Sequence, residues 1–299
     1  MNHPPLFIAG AGAAGMAISQ GLQRGGWPVG EVACQTLEKA VQRVAALGDG
    51  EPVCFDDMCH PSRPTPKDPV ILLVSVPDDH IRSCASRLAA RPWAEGSVAL
   101  HLSGSMEVDT LADLAASGLA IGGFHPLRSL INNDEGENPL AGTVLAIEGD
   151  PAAIDQCKKM AATLEGRPFL LAPESRAAWH AAATHACSHL VSLVDQALDL
   201  MESAGLDRNE ALHALEPLLE STLTNLGRLG PSKALTGPVV RGDLGAILRH
   251  LQALGNTSED VGTAYRALAR RAVRLARQDC NLDDDLAAEI IRALTGSSS

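Results

Sequence analysis

The stretch LFIAGAGAAG, residues 6–15, decides the fold of this chain. Its first four residues are apolar and predict a buried strand, and the apolar spacing over residues 13–24 predicts a helix directly after it. Three glycines in the pattern Gly-x-Gly-x-x-Gly join the two elements. Gly10 permits a tight turn, Gly12 lets a ligand approach the backbone, and Gly15 lets helix and strand pack closely. Amides at a helix N-terminus attract phosphate, so we predict that Gly10, Ala11, Gly12, Ala13, Ala14 and Gly15 bind a dinucleotide.

Short apolar runs alternate with helical patterns through the first half of the chain. The run 69–76 (PVILLVSV) is continuously apolar, rich in β-branched residues and bounded by prolines, as in a strand buried on both faces. Strand–helix alternation is typical of a mostly parallel, doubly wound sheet of the Rossmann type. The predicted strands are 6–10, 29–35, 69–76, 97–102, 119–124, 143–148 and 168–172. The predicted helices are 13–24, 37–47, 79–90, 107–117 and 151–165.

The pattern changes at Pro173, after which no strand is predicted. One long helix is expected over 174–204, and further helices over 207–228, 243–254, 258–279 and 283–294. We therefore predict an α/β fold with two domains: a dinucleotide-binding domain over 1–172 and an all-α substrate and dimerisation domain over 173–299.

Composition and charge exclude several classes of function. The chain has 299 residues, 45% of them hydrophobic and 20% charged, which suits packed domains rather than disorder. A net charge of −12 and few aromatic residues argue against nucleic acid and against an anionic membrane as partners. Seven scattered cysteines without a Cys-x-x-Cys motif, and an N-terminus without a basic segment, predict free thiols in the cytoplasm.

The end of the second predicted strand bears on the choice between NAD and NADP. NAD sites usually carry an acidic residue about 20 residues beyond the glycines, where it binds the ribose 2′-hydroxyl. Here the sequence is Cys34-Gln35-Thr36, without an acid. Gln35, Thr36 and Lys39 are candidate contacts for a 2′-phosphate. We predict NADP as cofactor, with NAD as the alternative.

Polar residues gather where three neighbouring strands end. Ligands bind at this edge of such sheets. The strand 69–76 runs into Val76 and Pro77, which we expect beside the cofactor. Ser103 follows the next strand, and is a candidate for contact with the reacting group. His125 and Arg128 end the third, as candidates for binding an anionic group of the substrate. The alternative is that these residues form ordinary loops.

The helix 174–204 begins with an alanine-rich segment that carries a second polar cluster. Arg176, His180 and Thr184 recur every four residues and so share a face. Because the pKa of an imidazole lies near neutrality, His180 is our candidate proton donor to a reduced C=O or C=N. Arg176 is the candidate anchor for an anionic group, and Thr184 a substrate contact. The alternative is an inert histidine on a helix packed against the sheet.

Two further segments allow weaker interpretations. Arg241 lies in the stretch 235–243 (LTGPVVRGD), where it is a candidate substrate contact or part of a rigid turn. His185 and His189 have the i, i+4 spacing of zinc ligands, but no third ligand is evident. We therefore predict no metal.

These segments together resemble a family of bacterial Rossmann-like oxidoreductases with a C-terminal domain of unknown function. The family is related to pyrroline-5-carboxylate reductase, ketopantoate reductase and the 6-phosphogluconate (β-hydroxyacid) dehydrogenases. The resemblance rests on 10–15, 76–79, 102–105, 124–127, 180–183 and 235–243. It implies a homodimer formed through the helical domain and a cleft between domains. Trp179 stands where the family has Tyr, and His189 where it often has Asn.

Together these features predict an NADP-dependent oxidoreductase that transfers a hydride between nicotinamide and a small carbonyl, imine or hydroxy acid. The alternative is a dinucleotide-binding sensor or scaffold without turnover, since the helical site lacks Tyr and Lys. A third hypothesis is a metal-assisted enzyme that uses His185 and His189.

Overall fold

A computed structural model describes residues 3–131, 138–255, 257–279 and 282–296. The chain forms two compact units, Met1–Cys187 and Ser188–Ser299.

The first unit is built on one eight-stranded sheet with the order β3-β2-β1-β4-β5-β6-β7-β8. Neighbouring strands run parallel, except that β6 and β7 are antiparallel. The order reverses direction between β1 and β4, as in the doubly wound Rossmann arrangement that the sequence predicted. The strands are β1 (Leu6–Ala9), β2 (Val29–Cys34), β3 (Glu51–Cys54), β4 (Ile71–Val74), β5 (Val98–His101), β6 (Ala120–Pro126), β7 (Val144–Gly149) and β8 (Arg167–Leu170).

Helices flank this sheet and make up the second unit. In the first unit they are α1 (Ala13–Arg24), α2 (Leu37–Leu47), α3 (Phe55–Met58), α4 (Ile81–Leu88), α5 (Ala112–Ala116), α6 (Pro151–Thr163) and α7 (Arg176–Ala186), with 3₁₀ turns at Asp78–His80, Val108–Leu111 and Pro173–Ser175. In the second unit they are α8 (Ser188–Ser203), α9 (Arg208–Leu229), α10 (Pro231–Ala234), α11 (Leu244–Leu254), α12 (Glu259–Asp279) and α13 (Asp284–Thr295).

Burial on both faces of the sheet explains why the central strands are so rich in apolar residues. Every residue of β1, β4 and β5 is buried, because helices cover both faces of the sheet. The apolar side chains form two clusters, one containing Ile18 and Met160 and the other containing Leu72 and Leu88. The prediction of a buried parallel sheet from the apolar runs is therefore confirmed.

The structure differs from the predicted elements at two places. The strand β3 and the short helix α3 lie between the predicted helix 37–47 and the predicted strand 69–76, where the sequence predicted no element. Pro52 lies in this edge strand, a position where proline is tolerated. The predicted helix 174–204 is interrupted at Cys187, whose φ of −114° and ψ of −81° are not helical. The segment 174–204 contains no proline or glycine from which the break could be predicted.

The second unit consists of helices in its described residues, as predicted. Val239, Ile247, Val273 and Ile290 belong to its buried core. Several large apolar side chains of α8 and α9 remain exposed: Val191, Leu193, Leu212, Leu218, Leu223, Leu226 and Leu229. The homodimer implied by the family resemblance stays a prediction.

The two compact units meet at 187/188, whereas the predicted domain boundary lies at 172/173. The difference is α7, which belongs to the first unit. The functional boundary at 172/173 stays a prediction. Within the described ranges, no helix combines the length and apolar character needed to cross a bilayer.

Candidate functional site

The first turn of α1 has the geometry of a phosphate-binding helix start. Gly10 has a φ of +84°, and a Cβ atom there would lie 2.4 Å from the carbonyl oxygen of Ser75, so the turn requires glycine. A Cβ on Gly15 would also collide with Ser75, which shows how closely α1 packs on the chain after β4. At Gly12, by contrast, a Cβ would meet nothing within 4 Å. The space beside Gly12 is open to a ligand, and the first turn holds no acidic residue.

A pocket of about 230 Å³ lies beside this turn. Gly10, Gln35, Val76 and Pro77, all predicted as cofactor contacts, belong to its lining. The other lining residues are Ala33, Cys34, Phe55, His80, Ser83, Cys84 and Arg87. The guanidinium of Arg87 lies over the Phe55 ring, 4.6 Å from its centroid, and forms an ion pair with Asp56.

Thr36, the other predicted cofactor contact after β2, stabilises the start of the next helix. Thr36 is the N-cap of α2, and its hydroxyl accepts a hydrogen bond from the Lys39 amide at 3.4 Å. Gln35 is left as the polar side chain of this loop that lines the pocket. None of the pocket-lining residues is acidic.

Two histidines meet at the same edge of the sheet. His125 is the penultimate residue of β6, His180 lies on α7, and their ring centroids are 6.4 Å apart. Both rings border Gly104: a Cβ there would lie 2.7 Å from His125 Nε2 and 2.8 Å from His180 Nδ1. We call the space bounded by these three residues the histidine notch.

Burial shapes the electrostatics around the histidine notch. Burial lowers the pKa of His125, and the neighbouring charges of His180 and Arg176 lower it further. The hydrogen bond between His125 Nδ1 and the Leu102 carbonyl opposes this shift. The adjacent His101 is fully buried, and burial together with Arg176 lowers its pKa to about 4. His101 and His125 are therefore neutral at neutral pH.

Arg176 begins α7 from a buried position. Its guanidinium forms an ion pair with Glu148 of β7 and donates to the Ser103 carbonyl at 3.1 Å. Both charged side chains are about 95% buried. Arg176 therefore fastens the start of α7 to the sheet, and its predicted role as the anchor for an anionic group stays a prediction.

The hydroxyl group of Ser103 already forms hydrogen bonds within its own loop. Its hydroxyl oxygen accepts hydrogen bonds from the amides of Ser105 and Met106 at 3.1 and 3.0 Å. Ser105 in turn donates to Asp78 at 2.5 Å, which ties this loop to the turn after β4. A contact between the Ser103 hydroxyl and a substrate would compete with these bonds.

The three other candidates, Thr184, Arg128 and Arg241, are each described on their own element. Thr184 is half-buried, one turn beyond His180 on α7. Arg128 is exposed, two residues after β6 ends. Arg241 is exposed in the second unit, in the turn before α11 that Asp243 caps. Their roles stay predictions.

Metal ligation finds no support in the described part of the chain. No group of three or more His, Cys, Asp or Glu residues there is placed to hold a metal ion. His185 and His189 lie on either side of the break at Cys187, so they do not share one helix.

Sequence reasoning missed two sets of residues. His80, Ser83 and Arg87 share a face at the i, i+3, i+7 spacing, so helical periodicity after Pro77 could have placed them together in the pocket. Glu148 was missed as well, although an acidic residue in the apolar strand VLAIEG is an unusual feature.

Trp179, which stands where the family that the sequence resembles has Tyr, stacks on Phe169 of β8, with the ring centroids 5.2 Å apart.

Comparisons with known proteins agree with this fold. Residues 143–272 match the family model described as a domain of unknown function, DUF2520. A search of curated proteins finds no match.

Three solved structures of similar fold cover more than nine-tenths of this chain. BF3122 from Bacteroides fragilis, titled as a candidate NADP oxidoreductase, is 22% identical with a TM-score of 0.72 over 91% of this chain and 98% of its own. A 1-pyrroline-5-carboxylate reductase from Streptococcus pyogenes is 15% identical, with a TM-score of 0.61 over 92% and 100%. An imine reductase from Myxococcus stipitatus, in complex with NADP⁺, is 16% identical, with a TM-score of 0.61 over 96% and 100%.

At these identities the likeness establishes a shared fold. The resemblance stated from the sequence is thereby confirmed in its fold and in its family domain. The chain is a Rossmann-type α/β protein that continues into helices, and its residues 143–272 match the model of the domain of unknown function DUF2520.

Proposed function

We propose that this protein is an NADP-dependent oxidoreductase that transfers a hydride between nicotinamide and a small carbonyl, imine or hydroxy acid. The observation that carries the proposal is the open space at Gly12, at the N-terminus of a helix that follows the first strand of a Rossmann-type sheet. The residues there fit a dinucleotide, because free amides and the helix dipole favour its diphosphate. The NADP⁺ bound to the imine reductase of similar fold supports the same cofactor type.

Two groups of residues at one edge of the sheet share the proposed reaction. One group binds the dinucleotide, and the other supplies the proton and orients the substrate. When bound, the nicotinamide supplies or accepts the hydride. Gly10 to Gly15 and the neighbouring pocket hold the dinucleotide. His180 holds the proton that the reduced oxygen or nitrogen needs, and His125 orients that atom. Arg176 keeps His180 in place by fastening α7 to β7 and to the loop after β5.

Gly12→Ala tests the dinucleotide site directly. A Cβ at Gly12 meets nothing in the protein, so the fold should lose no more than about 1 kcal/mol as the N-cap changes. The same methyl group would occupy the space of the diphosphate. We expect the Kd for NADP⁺, measured by calorimetry, to rise at least about tenfold, which corresponds to about 1.4 kcal/mol.

Gly262→Ala, in α12, is the matched control, since a Cβ there also meets nothing within 4 Å. It should leave the Kd unchanged. The proposed function is wrong if the wild-type protein binds neither NADP⁺ nor NAD⁺ at millimolar concentration. The assigned position of the diphosphate is wrong if Gly12→Ala binds like wild type.

Gln35→Asp tests the preference for NADP. A carboxylate at the end of β2 repels a 2′-phosphate and accepts a hydrogen bond from a 2′-hydroxyl. The ratio of the Kd for NADP⁺ to that for NAD⁺ should therefore rise at least about tenfold. Gln35→Asn, which has the size of Asp without its charge, should change the ratio much less. An unchanged ratio in Gln35→Asp would place the 2′-phosphate elsewhere.

A further inference from the structure

We propose that His125 and His180 work as a pair that binds the reacting N–H nitrogen of an imine substrate between them, with His180 as proton donor and His125 as a hydrogen-bond acceptor of fixed tautomer. The proposal rests on the proposed function and assigns His125 a direct part in the reaction, next to the cofactor edge of the sheet.

The geometry of the histidine notch fits one bridging atom. His125 Nε2 and His180 Nδ1 lie 2.7 and 2.8 Å from one point, the Cβ position that Gly104 leaves empty. The two nitrogens are therefore no more than 5.5 Å apart. Two hydrogen bonds of about 2.8 Å to a single atom span up to about 5.6 Å. One N–H nitrogen can thus contact both rings, because it donates its hydrogen to His125 Nε2 and accepts at its lone pair from His180 Nδ1, whereas a carbonyl oxygen has no hydrogen for His125.

The tautomer of His125 follows from its hydrogen bond. His125 Nδ1 lies 3.2 Å from the carbonyl oxygen of Leu102, which can only accept. Nδ1 must therefore carry the hydrogen. Because the lowered pKa keeps the ring neutral, Nε2 presents a lone pair to the notch.

His180 complements His125, because its Nδ1 can donate a hydrogen bond to the same substrate atom. Its Nδ1 is buried and has no hydrogen-bond partner among the residues that the structure describes. A buried ring nitrogen without a partner is costly, and a bound substrate atom would satisfy it. A proton carried on Nδ1 would be presented directly to that substrate atom.

The proposed step is balanced for a reduction. The hydride from the nicotinamide adds to the imine carbon, and the π-electron pair of the C=N bond moves to the nitrogen. That nitrogen takes the proton from His180 Nδ1, which leaves His180 neutral. The original N–H of the new amine continues to donate to His125 Nε2. His180 regains its proton from solvent before the next turnover.

The titratable and charged groups that face His125 come from three elements. They are His180 and Arg176 on α7, Asp78 in the turn after β4, and His101 at the end of β5. His180 and Arg176 lower the pKa of His125, whereas Asp78 raises it. Removal of His180 should therefore be visible at His125 without any cofactor present.

Nitrogen NMR of the histidine rings in the full-length protein, without cofactor, tests the pairing. We expect His125 to hold its hydrogen on Nδ1 and to have a pKa below the usual value of an imidazole. In His180→Asn the pKa of His125 should rise by about half a pH unit or more, because a neighbouring positive charge is removed. His213→Asn, the same substitution at an exposed site, should leave the pKa of His125 unchanged.

The pairing would be overturned by a hydrogen on Nε2 of His125. It would also be overturned by a pKa of His125 that is unchanged in His180→Asn. Gly104→Ala gives a second measurement, since its methyl group would collide with both rings and should abolish the coupling. With an active substrate, His125→Asn should lower kcat about tenfold or more and leave the Kd for NADP⁺ unchanged; an unchanged kcat would also overturn the proposal. Failure of dinucleotide binding, with the NMR results as expected, would instead overturn the proposed function.

Discussion

Replacing His180 by Asn should lower kcat by about 10²–10⁴-fold, the range typical of losing a general acid, while the Kd for NADP⁺ stays within about twofold. The imidazole lies in the histidine notch, with Nδ1 buried beside Gly104 and 2.8 Å from the position a Cβ would take there. Asn fills part of the same space and can donate a hydrogen bond. It cannot deliver a proton to a developing alkoxide or amide anion near neutral pH.

His185→Asn is the matched control for this prediction, since it makes the same change five residues further along α7. It should leave kcat unchanged. The measurement is steady-state turnover with NADPH over a panel of small carbonyl and imine substrates, followed by binding calorimetry on both variants. Tight NADPH binding by the wild-type protein, without turnover of any substrate, would instead favour the sensor hypothesis. Full activity of His180→Asn would remove His180 from the chemistry.

Arg176→Met should lower the free energy of unfolding by about 3–5 kcal/mol, because it leaves the carboxylate of Glu148 buried without a partner. The guanidinium forms the ion pair with Glu148 and the 3.1 Å hydrogen bond to the Ser103 carbonyl, and both charged side chains are about 95% buried. Urea unfolding followed by circular dichroism measures the loss. Because Arg176 is the first residue of α7, kcat should also fall as His180 loses its position.

The double variant Arg176→Met with Glu148→Leu separates the two effects. Replacing a buried ion pair with apolar residues of similar volume is often neutral, so most of the stability should return. The Lys159–Asp155 pair on α6 is exposed, and Lys159→Met should cost about 1 kcal/mol or less. If Arg176→Met keeps wild-type stability but raises KM for an anionic substrate, Arg176 is the substrate anchor that the sequence predicted.

Much of the fold could be predicted from the sequence because its signals are local. The run 71–74 is apolar throughout and becomes the buried strand β4. The glycines at 10, 12 and 15 follow β1 and open α1 in the predicted turn. The strand β3 escaped prediction, because Pro52 weakens a strand pattern that edge position makes acceptable.

The candidate site could be predicted only as a set of segments. The strand ends indicated that His125 and Ser103 lie at one edge, since parallel strands bring their carboxyl ends together. The partners of each side chain could not be predicted in this way. Arg176 pairs with Glu148, 28 residues earlier in the sequence, and bonds to Ser103, 73 residues earlier. No sequence pattern links such distant residues.

The sequence by itself determined the Rossmann-type sheet, the phosphate-binding turn and the helical second half, because periodicity and glycine spacing act over neighbouring residues. Only the tertiary structure decided that Arg176 is buried as a fastening for α7, and that His125 and His180 meet over Gly104. It also decided that the helix ends at Cys187, where no proline or glycine marks a break. These features depend on contacts between elements far apart in the chain, and packing across the sheet selects them over local preference.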